Sequence, residues 1–342
     1  AMKHALEETQ RLAVGGRTVA AATLVSVDGS VPRRSEARLL VSSDGSTSGS
    51  VSFGCVEADV AAHAEAVLEN GEPRLVSYGL SDEDAFGLGL TCGGAMEVFI
   101  EPWTGIAEEI GGLPDPAFTG VLATIISGPG RGSHALFDRV SGTWTGGLTP
   151  FEDGDLGGDV EATLAGEKAR IVDVGASRVY LEPVVTPPTL LIYGAGHTAQ
   201  ALCAAASAIG FRVIVADHRP GLADSDQYPS AAEILIGWPG DIVPQVAPDG
   251  RTYAVCLAHN EEVEDVLLPL LADAGACYIG VLGSRRNHAA RKARLIGAGM
   301  TEEQTELLRG PVGLGIGALT PEEIAVSIVA ELVAVRRNHP FD

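Results

Sequence analysis

The sequence predicts an α/β protein in which a parallel sheet in the C-terminal half follows a mixed α+β N-terminal domain. Three observations lead to this fold class. After residue 188, short apolar runs without polar alternation are separated by helical segments, which is typical of a parallel sheet buried on both faces. Before residue 183, the strand-like runs are short and accompanied by many glycines. Between the two parts, the adjacent prolines of PVVTPPT (Pro183–Thr189) favour an extended connector.

Length and composition limit the class of protein. A chain of 342 residues suggests about two domains, which we place at residues 1–184 and 189–342. Apolar residues make up 46% and charged residues 20% of the chain, as in a globular protein. The apolar runs are far shorter than the ~18 residues of a membrane span, and the first residues lack the apolar core of a signal peptide. Five scattered cysteines do not suggest a disulfide framework, so we expect a reducing, cytoplasmic location.

The charge balance is strongly acidic. A formal net charge of −22 argues against nucleic acid as a partner, because the phosphates would be repelled. Lysine is rare, so most positive charge is carried by arginine. The pairs Arg33-Arg34 and Arg285-Arg286 therefore stand out. Their planar guanidinium groups suit phosphate and carboxylate ligands.

The N-terminal domain mixes helices and strands. We predict one helix at residues 3–14 and another at residues 56–70, where apolar residues recur at helical spacing. Strands are predicted for the following runs: RTVAAATLVSV, ARLLVSSDG, PRLVSYG, AMEVFIEP, GVLATIIS, SHALFD and SRVYLEPV.

The C-terminal half alternates between predicted strands and helices. The strands are these apolar runs: TLLIY, FRVIVAD, TYAVCLA and CYIGVLG. Helical spacing follows the first, third and fourth of them. The last helix has a well-defined start, because Thr320 is a favoured N-cap, Pro321 suits the first helical position and Glu323 completes a capping box.

The run GAGHTA (Gly194–Ala199) has the form G-x-G-x-x-A between a predicted strand and a predicted helix. Gly194 permits a tight turn, Gly196 lets the backbone approach a pyrophosphate, and Ala199 allows close packing of helix and sheet. The helix start, at His197, offers free N–H groups to an anion. Asp217 ends the next strand, where such folds place a ribose-binding carboxylate. The pattern predicts a Rossmann-like domain that binds a nucleotide or pyrophosphate, or a tight turn that binds nothing.

Further polar residues are expected at the same edge of the sheet. The run GSRRN follows another predicted strand, so that Ser284 is placed to cap the next helix and Arg285 to hold a phosphate, unless this is only a solvated helix start. His259 also follows a strand, where a structural role and a functional one both fit.

Two cysteines of the N-terminal domain lie among glycines. Gly54 precedes Cys55 at the predicted start of a helix, a position that favours the reactive thiolate. Gly93 follows Cys92 just before a strand. Cys55 and Cys92 are 37 positions apart, without further cysteine or histidine at short spacing, so we do not predict a structural zinc site. Either cysteine can be an inert core residue, although the glycines favour room for a ligand.

Six runs, spread over nearly the whole chain, form a specific combination. They are GSVPRRSEARLLVSSDG, GSVSFGCVE, GLTCGG, VYLEPV before PPTLLIYGAGH, VLGSRR, and GPVGLGIGALTPEEIAVSIVAE. Together they resemble the XdhC/CoxI family, which comprises accessory proteins of molybdenum-containing hydroxylases such as xanthine dehydrogenase and carbon monoxide dehydrogenase. Two positions differ from the family pattern: Phe53 replaces a glycine before Cys55, and Asn260 replaces an aspartate after His259.

The resemblance implies a protein that binds the molybdenum cofactor, as molybdopterin or its dinucleotide form, and helps to insert it into an apo-molybdenum hydroxylase. A cysteine desulfurase often supplies a sulfido ligand before insertion. By the same resemblance, Cys55 and Cys92 are candidates for contacting the cofactor. The glycine loop would then bind a phosphate-bearing group, such as a nucleotide attached to the pterin.

Two other interpretations stay open. One is an NAD(P)-dependent oxidoreductase that uses Gly194–Ala199 and Asp217, although no Ser, Tyr and Lys set suited to carbonyl reduction stands out. The other is a nucleotide-sensing scaffold without cofactor handling, for which Phe53 is the main argument. The oligomeric state is open as well, a homo-oligomer included.

Overall fold

The computed structural model describes residues 2–28, 37–52, 54, 56–79, 95–111, 118–146 and 156–339. The chain divides into two compact units, residues 1–186 and 187–342. Each unit has its own core, and each is described by itself.

The first sheet of the N-terminal unit is antiparallel, and its described strands follow the order β3-β2-β1-β5-β4. The strands are β1 (Val19–Asp28), β2 (Arg38–Ser42), β3 (Thr47–Gly49), β4 (Arg74–Tyr78) and β5 (Ala95–Pro102). Two helices belong to this part, α1 (Met2–Leu12) and α2 (Glu57–Asn70). Helix α2 covers one face of the sheet through Val60, Ala64 and Val67, which are fully buried.

The second sheet of this unit is also antiparallel, in the order β8-β7-β6-β10-β9 among the described residues. Its strands are β6 (Thr119–Ser127), β7 (His134–Asp138), β8 (Thr143–Gly146), β9 (Arg170–Val174) and β10 (Ser177–Val185). The helices of this part are α3 (Thr104–Gly111) and α4 (Gly157–Gly166). Val160 and Leu164 of α4 pack onto this sheet.

Buried ion pairs join the two sheets. Arg38 Nη2 of β2 lies 2.7 Å from Glu182 Oε2 of β10, and the two side chains are only 7% and 3% exposed. The Arg38 guanidinium also lies 4.5 Å from the centre of the Trp103 ring. A second pair connects His134 Nε2 with Glu101 Oε2 at 2.8 Å. A charge buried in this way depends on its partner, because the partner replaces the lost water.

The C-terminal unit contains the predicted parallel sheet, so the fold class is confirmed. Its described strands follow the order β13-β12-β11-β14-β15-β16, and all neighbours are parallel. The strands are β11 (Thr189–Tyr193), β12 (Arg212–Asp217), β13 (Glu233–Ile236), β14 (Thr252–Cys256), β15 (Tyr278–Val281) and β16 (Leu308–Arg309). Numbered within the unit, this is the 3-2-1-4-5-6 order of the Rossmann fold.

Helices cover both faces of the parallel sheet, and each face has its own apolar cluster. They are α5 (His197–Ala208), α6 (Pro239–Val246), α7 (Glu261–Asp273), α8 (Arg285–Gly297), α9 (Glu302–Glu306) and α10 (Pro321–Arg336). The predicted start of α10 is confirmed, because the side chain of Thr320 accepts the N–H of Glu323 and the side chain of Glu323 accepts the N–H of Thr320. None of the helices in the described ranges is long and apolar enough to cross a membrane.

Replacing Arg38 with Met is expected to destabilise the N-terminal unit by about 3–5 kcal/mol, because Glu182 is left as an uncompensated buried charge. The measurement is urea unfolding followed by tryptophan fluorescence in a Trp238→Phe background, in which the remaining tryptophans, Trp103 and Trp144, both report on this unit. Arg139→Met is the matched control, since the pair of Arg139 with Glu161 is more than half exposed. An Arg38→Met protein as stable as the control contradicts the expectation.

Stability of the same unit is expected to fall as the pH rises through the titration of His134. Burial lowers the pKa of His134, but the adjacent Glu101 carboxylate outweighs it and leaves the pKa above its ordinary value. A raised folded-state pKa stabilises the fold below the unfolded value of ~6.5, and this contribution is lost as the pH rises through the folded value. Unfolding midpoints measured from about pH 6 to pH 9 test this. His134→Gln is expected to remove that part of the pH dependence, and an unchanged profile would refute it.

Candidate functional site

The loop before α2 is wound around the carboxylate of Glu57. Glu57 Oε1 accepts hydrogen bonds from Ser50 Oγ at 2.6 Å, Val51 N at 3.2 Å and Ser52 N at 2.8 Å. Its Oε2 accepts from Ser52 Oγ at 2.6 Å and from Gly54 N at 2.7 Å. Burial raises the pKa of Glu57, but these hydrogen bonds outweigh it and lower the pKa to about 2. The acid is therefore a charged anchor for the loop.

This anchor belongs to the run GCVE that the sequence analysis selected for its cysteine. Gly54 is described, and its φ of +107° is a conformation that favours glycine. Cys55 and Phe53 lie outside the described residues, so contact between Cys55 and a cofactor stays a prediction. Sequence reasoning missed Glu57. Its signal was a carboxylate in the first turn of a helix, next to a loop rich in N–H and O–H donors.

Residues that flank two of the predicted binding segments, 29–36 and 80–94, lie at one end of the first sheet. At this end, Asp28 is the last residue of β1 and pairs with Ala95, the first residue of β5. Strand β4 also ends here, at Tyr78, beside the start of β5. Gly49, the last residue of β3, lies further from this end, because it pairs with Leu39 of β2, and Leu39 pairs with Ala22, six residues before Asp28. The chain on both sides of residues 80–94, and the chain that enters residues 29–36, are therefore anchored at this end of the sheet.

The start of α2 is fastened to the same edge. Tyr78 donates its hydroxyl proton to Asp59 Oδ2 in the first turn of α2, at 2.7 Å. His63, one turn further, has its Nε2 3.5 Å from the same oxygen. Arg33, Arg34, Cys92 and Gly93 lie outside the described residues, and their part in binding stays a prediction.

The cysteines that the structure describes have a different character. Cys203 and Cys256 are buried, and burial raises the pKa of their thiols to about 11 and about 12. Burial likewise raises the pKa of Cys277 to about 11. They are therefore thiols rather than thiolates at neutral pH. Within the described ranges, no group of three His, Cys, Asp or Glu side chains is arranged to hold a metal ion.

The glycine loop of the C-terminal unit has the geometry that its residues predict. Gly194 adopts a φ of +108°, and a Cβ added there would lie 2.6 Å from the backbone nitrogen of Ala258. Gly196 is the N-cap of α5 and faces open space, since an added Cβ would meet no atom within 4 Å. No side chain caps α5, so its first N–H groups, with His197 exposed beside them, are available to an anion.

The loop lies at the point where the sheet changes direction. Strands β11 and β14 are neighbours, and the chain continues from them toward opposite edges of the sheet. In open α/β sheets, ligands bind in the crevice at this position. His259 follows β14 here and is exposed. Asn260 caps α7 by accepting the N–H of Glu262 at 2.9 Å, a role that an aspartate would also fill.

Asp217 ends β12 at the same edge, and its side chain is 1% exposed. Its Oδ1 accepts the backbone N–H and the Nε–H of Arg219, both at 2.9 Å. Its Oδ2 accepts Ala195 N at 2.7 Å and Arg219 Nη2 at 2.8 Å. Burial raises the pKa of Asp217, but the hydrogen bonds outweigh it and leave the pKa below its ordinary value. The carboxylate thus ties the glycine loop to the end of β12, while its contact with a ligand stays a prediction.

The loop after β15 brings a third group of polar residues to this edge. Ser284 caps α8 by accepting the N–H of Asn287 at 3.2 Å, and Arg285 follows as an exposed residue. Beneath the loop, buried Arg291 donates to the carbonyl of Leu282 at 3.1 Å and forms a bidentate pair with a glutamate of α7. The structure thus brings the predicted residues of this unit to one edge of the sheet; their binding roles stay predictions.

Replacing Glu57 with Gln is expected to loosen the loop before α2, because an amide offers one acceptor oxygen and no charge. Amide hydrogen exchange at Val51, Ser52 and Gly54 should become at least about tenfold faster, since a hydrogen bond to a charged group contributes roughly 1.5–3 kcal/mol. Exposed Glu65 of the same helix provides the control, Glu65→Gln.

The pH dependence of the loop gives a second measure. A folded-state pKa of about 2, lowered from 4.5, means that Glu57 stabilises the loop above the ordinary value. This contribution is lost as the pH falls through about 2. Loop amides that lose protection already near pH 5 would contradict this assignment.

Comparison with known proteins adds independent findings. The XdhC Rossmann domain family matches residues 190–332, and the XdhC and CoxI family matches residues 12–79. A protein of Bacillus subtilis (strain 168) that is named as a probable component of xanthine dehydrogenase is 30% identical over 93% of each chain. The molybdenum cofactor insertion chaperone PaoD of Escherichia coli (strain K12) is 25% identical over 96% of this chain and 87% of its own.

A solved structure agrees with these matches. The crystal structure of a xanthine dehydrogenase from Bacillus halodurans covers 98% of this chain and 96% of its own, with a TM-score of 0.79 and 26% identity. Fold, motifs and relatives therefore agree over nearly the full length, and the chain belongs to the XdhC/CoxI family.

Proposed function

We propose that the protein binds the molybdenum cofactor, shields it, and delivers it to an apo-molybdenum hydroxylase of the xanthine dehydrogenase or carbon monoxide dehydrogenase type. A cysteine desulfurase acts before delivery, when the cofactor receives its sulfido ligand. The cofactor is cargo in this role, and the protein itself catalyses no turnover. The names of the similar proteins, one a component of xanthine dehydrogenase and the other a cofactor insertion chaperone, support the family-level role.

The observation that carries the proposal is the shared edge of the first sheet. Tyr78 and Ala95 anchor the chain on both sides of residues 80–94, which contain Cys92, and Asp28 lies at the same end of the sheet. The loop around Glu57, which contains Cys55, is connected to this end because Tyr78 donates to Asp59 of α2. Segments that leave a sheet at one edge are able to contact one ligand. Cys55 and Cys92 are the thiols that we assign to the molybdenum end of the cargo.

Glu57 influences the chemistry of this site. The N–H groups at the start of α2 would stabilise a thiolate, but Glu57 accepts those of Gly54 and Val56 and adds a negative charge of its own. Because a coordinating thiol is deprotonated by the cation, the metal end of the cargo would itself supply the thiolate that this helix start does not favour.

The glycine loop of the C-terminal unit is the second binding element that we propose. The uncapped start of α5, at Gly196 and His197, supplies N–H groups for a pyrophosphate or a nucleotide. Ser284 and Arg285 lie at the same carboxyl edge, where a guanidinium suits a phosphate. Gly194 permits the close turn that this contact requires.

Reconstitution tests the delivery role. Protein loaded with the cofactor is expected to activate a purified apo-hydroxylase more effectively than an equal amount of free cofactor, because the free form is exposed to oxidation. Activation should depend on ionic strength, since a net charge of −22 acts on the encounter over long range. Equal activation by free cofactor, together with NADH oxidation in the presence of a carbonyl substrate, would replace this proposal with the oxidoreductase.

The cysteines are tested by retention of molybdopterin after gel filtration. Cys55→Ala and Cys92→Ala are each expected to lower the retained amount. Cys277→Ala is the matched control, because this cysteine lies in the other unit. If both variants retain as much molybdopterin as the wild-type protein, the two cysteines do not contribute to binding.

A further inference from the structure

Asp217 is saturated with hydrogen bonds. An ionised carboxylate offers about four acceptor positions, and Asp217 uses four: two for the backbone and Nε of Arg219 on one oxygen, and two for Ala195 N and Arg219 Nη2 on the other. A ribose hydroxyl that donates to Asp217 would have to displace one of these donors. Displacing Ala195 would release the glycine loop, and displacing Arg219 would leave a buried charge with fewer partners.

Arg219 is the group that this arrangement presents to a ligand. Its Nε and Nη2 each direct one N–H at Asp217, which leaves three of the five N–H groups of the guanidinium. Its side chain is 54% exposed, whereas that of Asp217 is 1% exposed. Because the same Asp217 oxygen binds Ala195 N, the guanidinium lies directly beside the glycine loop. Because Nε and Nη2 both donate to Asp217, the orientation of the planar Arg219 guanidinium is fixed, and so is the direction of its remaining N–H groups.

An aromatic pair lies at the same end of the sheet. The rings of His218 and Trp238 are stacked with centroids 4.9 Å apart, and Trp238 is 46% exposed. Gly237, just before Trp238, donates its N–H to the backbone oxygen of Asp217 at 3.1 Å and accepts the hydroxyl of Tyr193 at 2.9 Å. The indole is thus held at the ends of the strands that bind the nucleoside half of a dinucleotide. An exposed aromatic face at this position suits a nucleobase.

We propose that the nucleotide of the glycine loop carries a phosphate monoester on its nucleoside ribose, as NADP does, and that Arg219 recognises this phosphate. This inference rests on the proposed nucleotide site. Asp217 is then a positioning residue, which aims the guanidinium and holds the loop but does not contact the ribose. Trp238 stacks with the base. A dianionic phosphate matches the free edge of the guanidinium, whereas an unmodified ribose finds no acceptor on Asp217.

The central experiment uses the wild-type full-length protein, so that it does not depend on any variant. Titration calorimetry compares NADP with NAD, and 2′,5′-ADP with 5′-AMP. We expect each phosphorylated ligand to bind at least about tenfold more tightly, because the phosphate gains charge-assisted hydrogen bonds. The preference should shrink with added salt, since Arg219 is partly exposed.

Variants locate the preference on Arg219. Arg219→Gln is expected to remove the preference for NADP over NAD, while Arg219→Lys should keep part of it, since a lysine retains the charge without the fork. Arg212→Gln is the matched control: Arg212 starts the same strand and pairs with Glu233 at the surface. Trp238→Leu should weaken NAD and NADP equally. Thermal unfolding verifies that each variant is folded.

Three results decide between the outcomes. The inference holds when wild-type protein prefers NADP and Arg219→Gln does not. Equal binding of NAD and NADP by wild-type protein overturns the inference and leaves the proposed nucleotide site standing. Folded wild-type protein that binds none of the four ligands overturns the nucleotide site itself, while cofactor delivery through the N-terminal unit is still measured by molybdopterin retention.

Discussion

A carboxylate that leaves water has to recover its hydrogen bonds from the protein, and this requirement determines the path of several loops in this chain. Glu57 gathers the N–H groups of the loop before α2. Asp217 gathers those of the glycine loop and of Arg219. Glu331 of α10 accepts the hydroxyl of Tyr278 and the N–H of Gly313, and so holds the glycine-rich run that precedes its own helix. These loops lack a β-ladder, and an acid supplies the acceptors that a neighbouring strand would provide.

Arginines complement these acids and serve two different purposes. Arg38 and Arg291 are buried in bidentate or paired contacts and brace elements against each other. Arg219 and Arg285 lie at the carboxyl edge of the parallel sheet with much of their side chains exposed. Arg291 keeps that edge in place before any ligand arrives, because it donates to the carbonyl of Leu282. Binding at a preformed edge loses little conformational freedom, so more of the contact energy appears as affinity.

The sequence predicted the parts of the fold that local patterns determine. Strands such as β11 and β14 are uninterrupted apolar runs, and the start of α10 is encoded within four residues by Thr320 and Glu323. Strand β13 and helix α6 were missed, because a four-residue strand with half-exposed side chains and a short helix with an internal proline carry little periodicity. Residues 105–182 showed only glycine-rich, strand-like runs, although they form most of a second sheet.

Long-range contacts explain why the sites were only partly predictable. Gly194, Gly196 and Ser284 were found because each has a local role in a turn or a cap. By contrast, Arg38 and Glu182 are 144 residues apart, and nothing near either residue indicates the partner. The donors that saturate Asp217 are equally invisible, because one of them comes from Ala195, 22 residues away. A sequence motif thus predicts an acidic residue at the right position. Only the fold shows whether its carboxylate oxygens are free to accept a hydrogen bond from a ligand.

The carboxylate of Glu57 also affects how the protein would release the cofactor that we propose as its cargo. If Cys55 contacts the metal end as we propose, the negative charge of Glu57 would make the bound thiolate costlier than it would be beside an open helix start. In the C-terminal unit, the proposed phosphate contacts would be made by the uncapped N–H groups at the start of α5, and their strength would not depend on a proton. A carrier built in this way would hold a phosphate-bearing group by geometry and the metal by a bond that proton uptake weakens. Protonation of the thiol by an incoming partner would therefore favour transfer over retention.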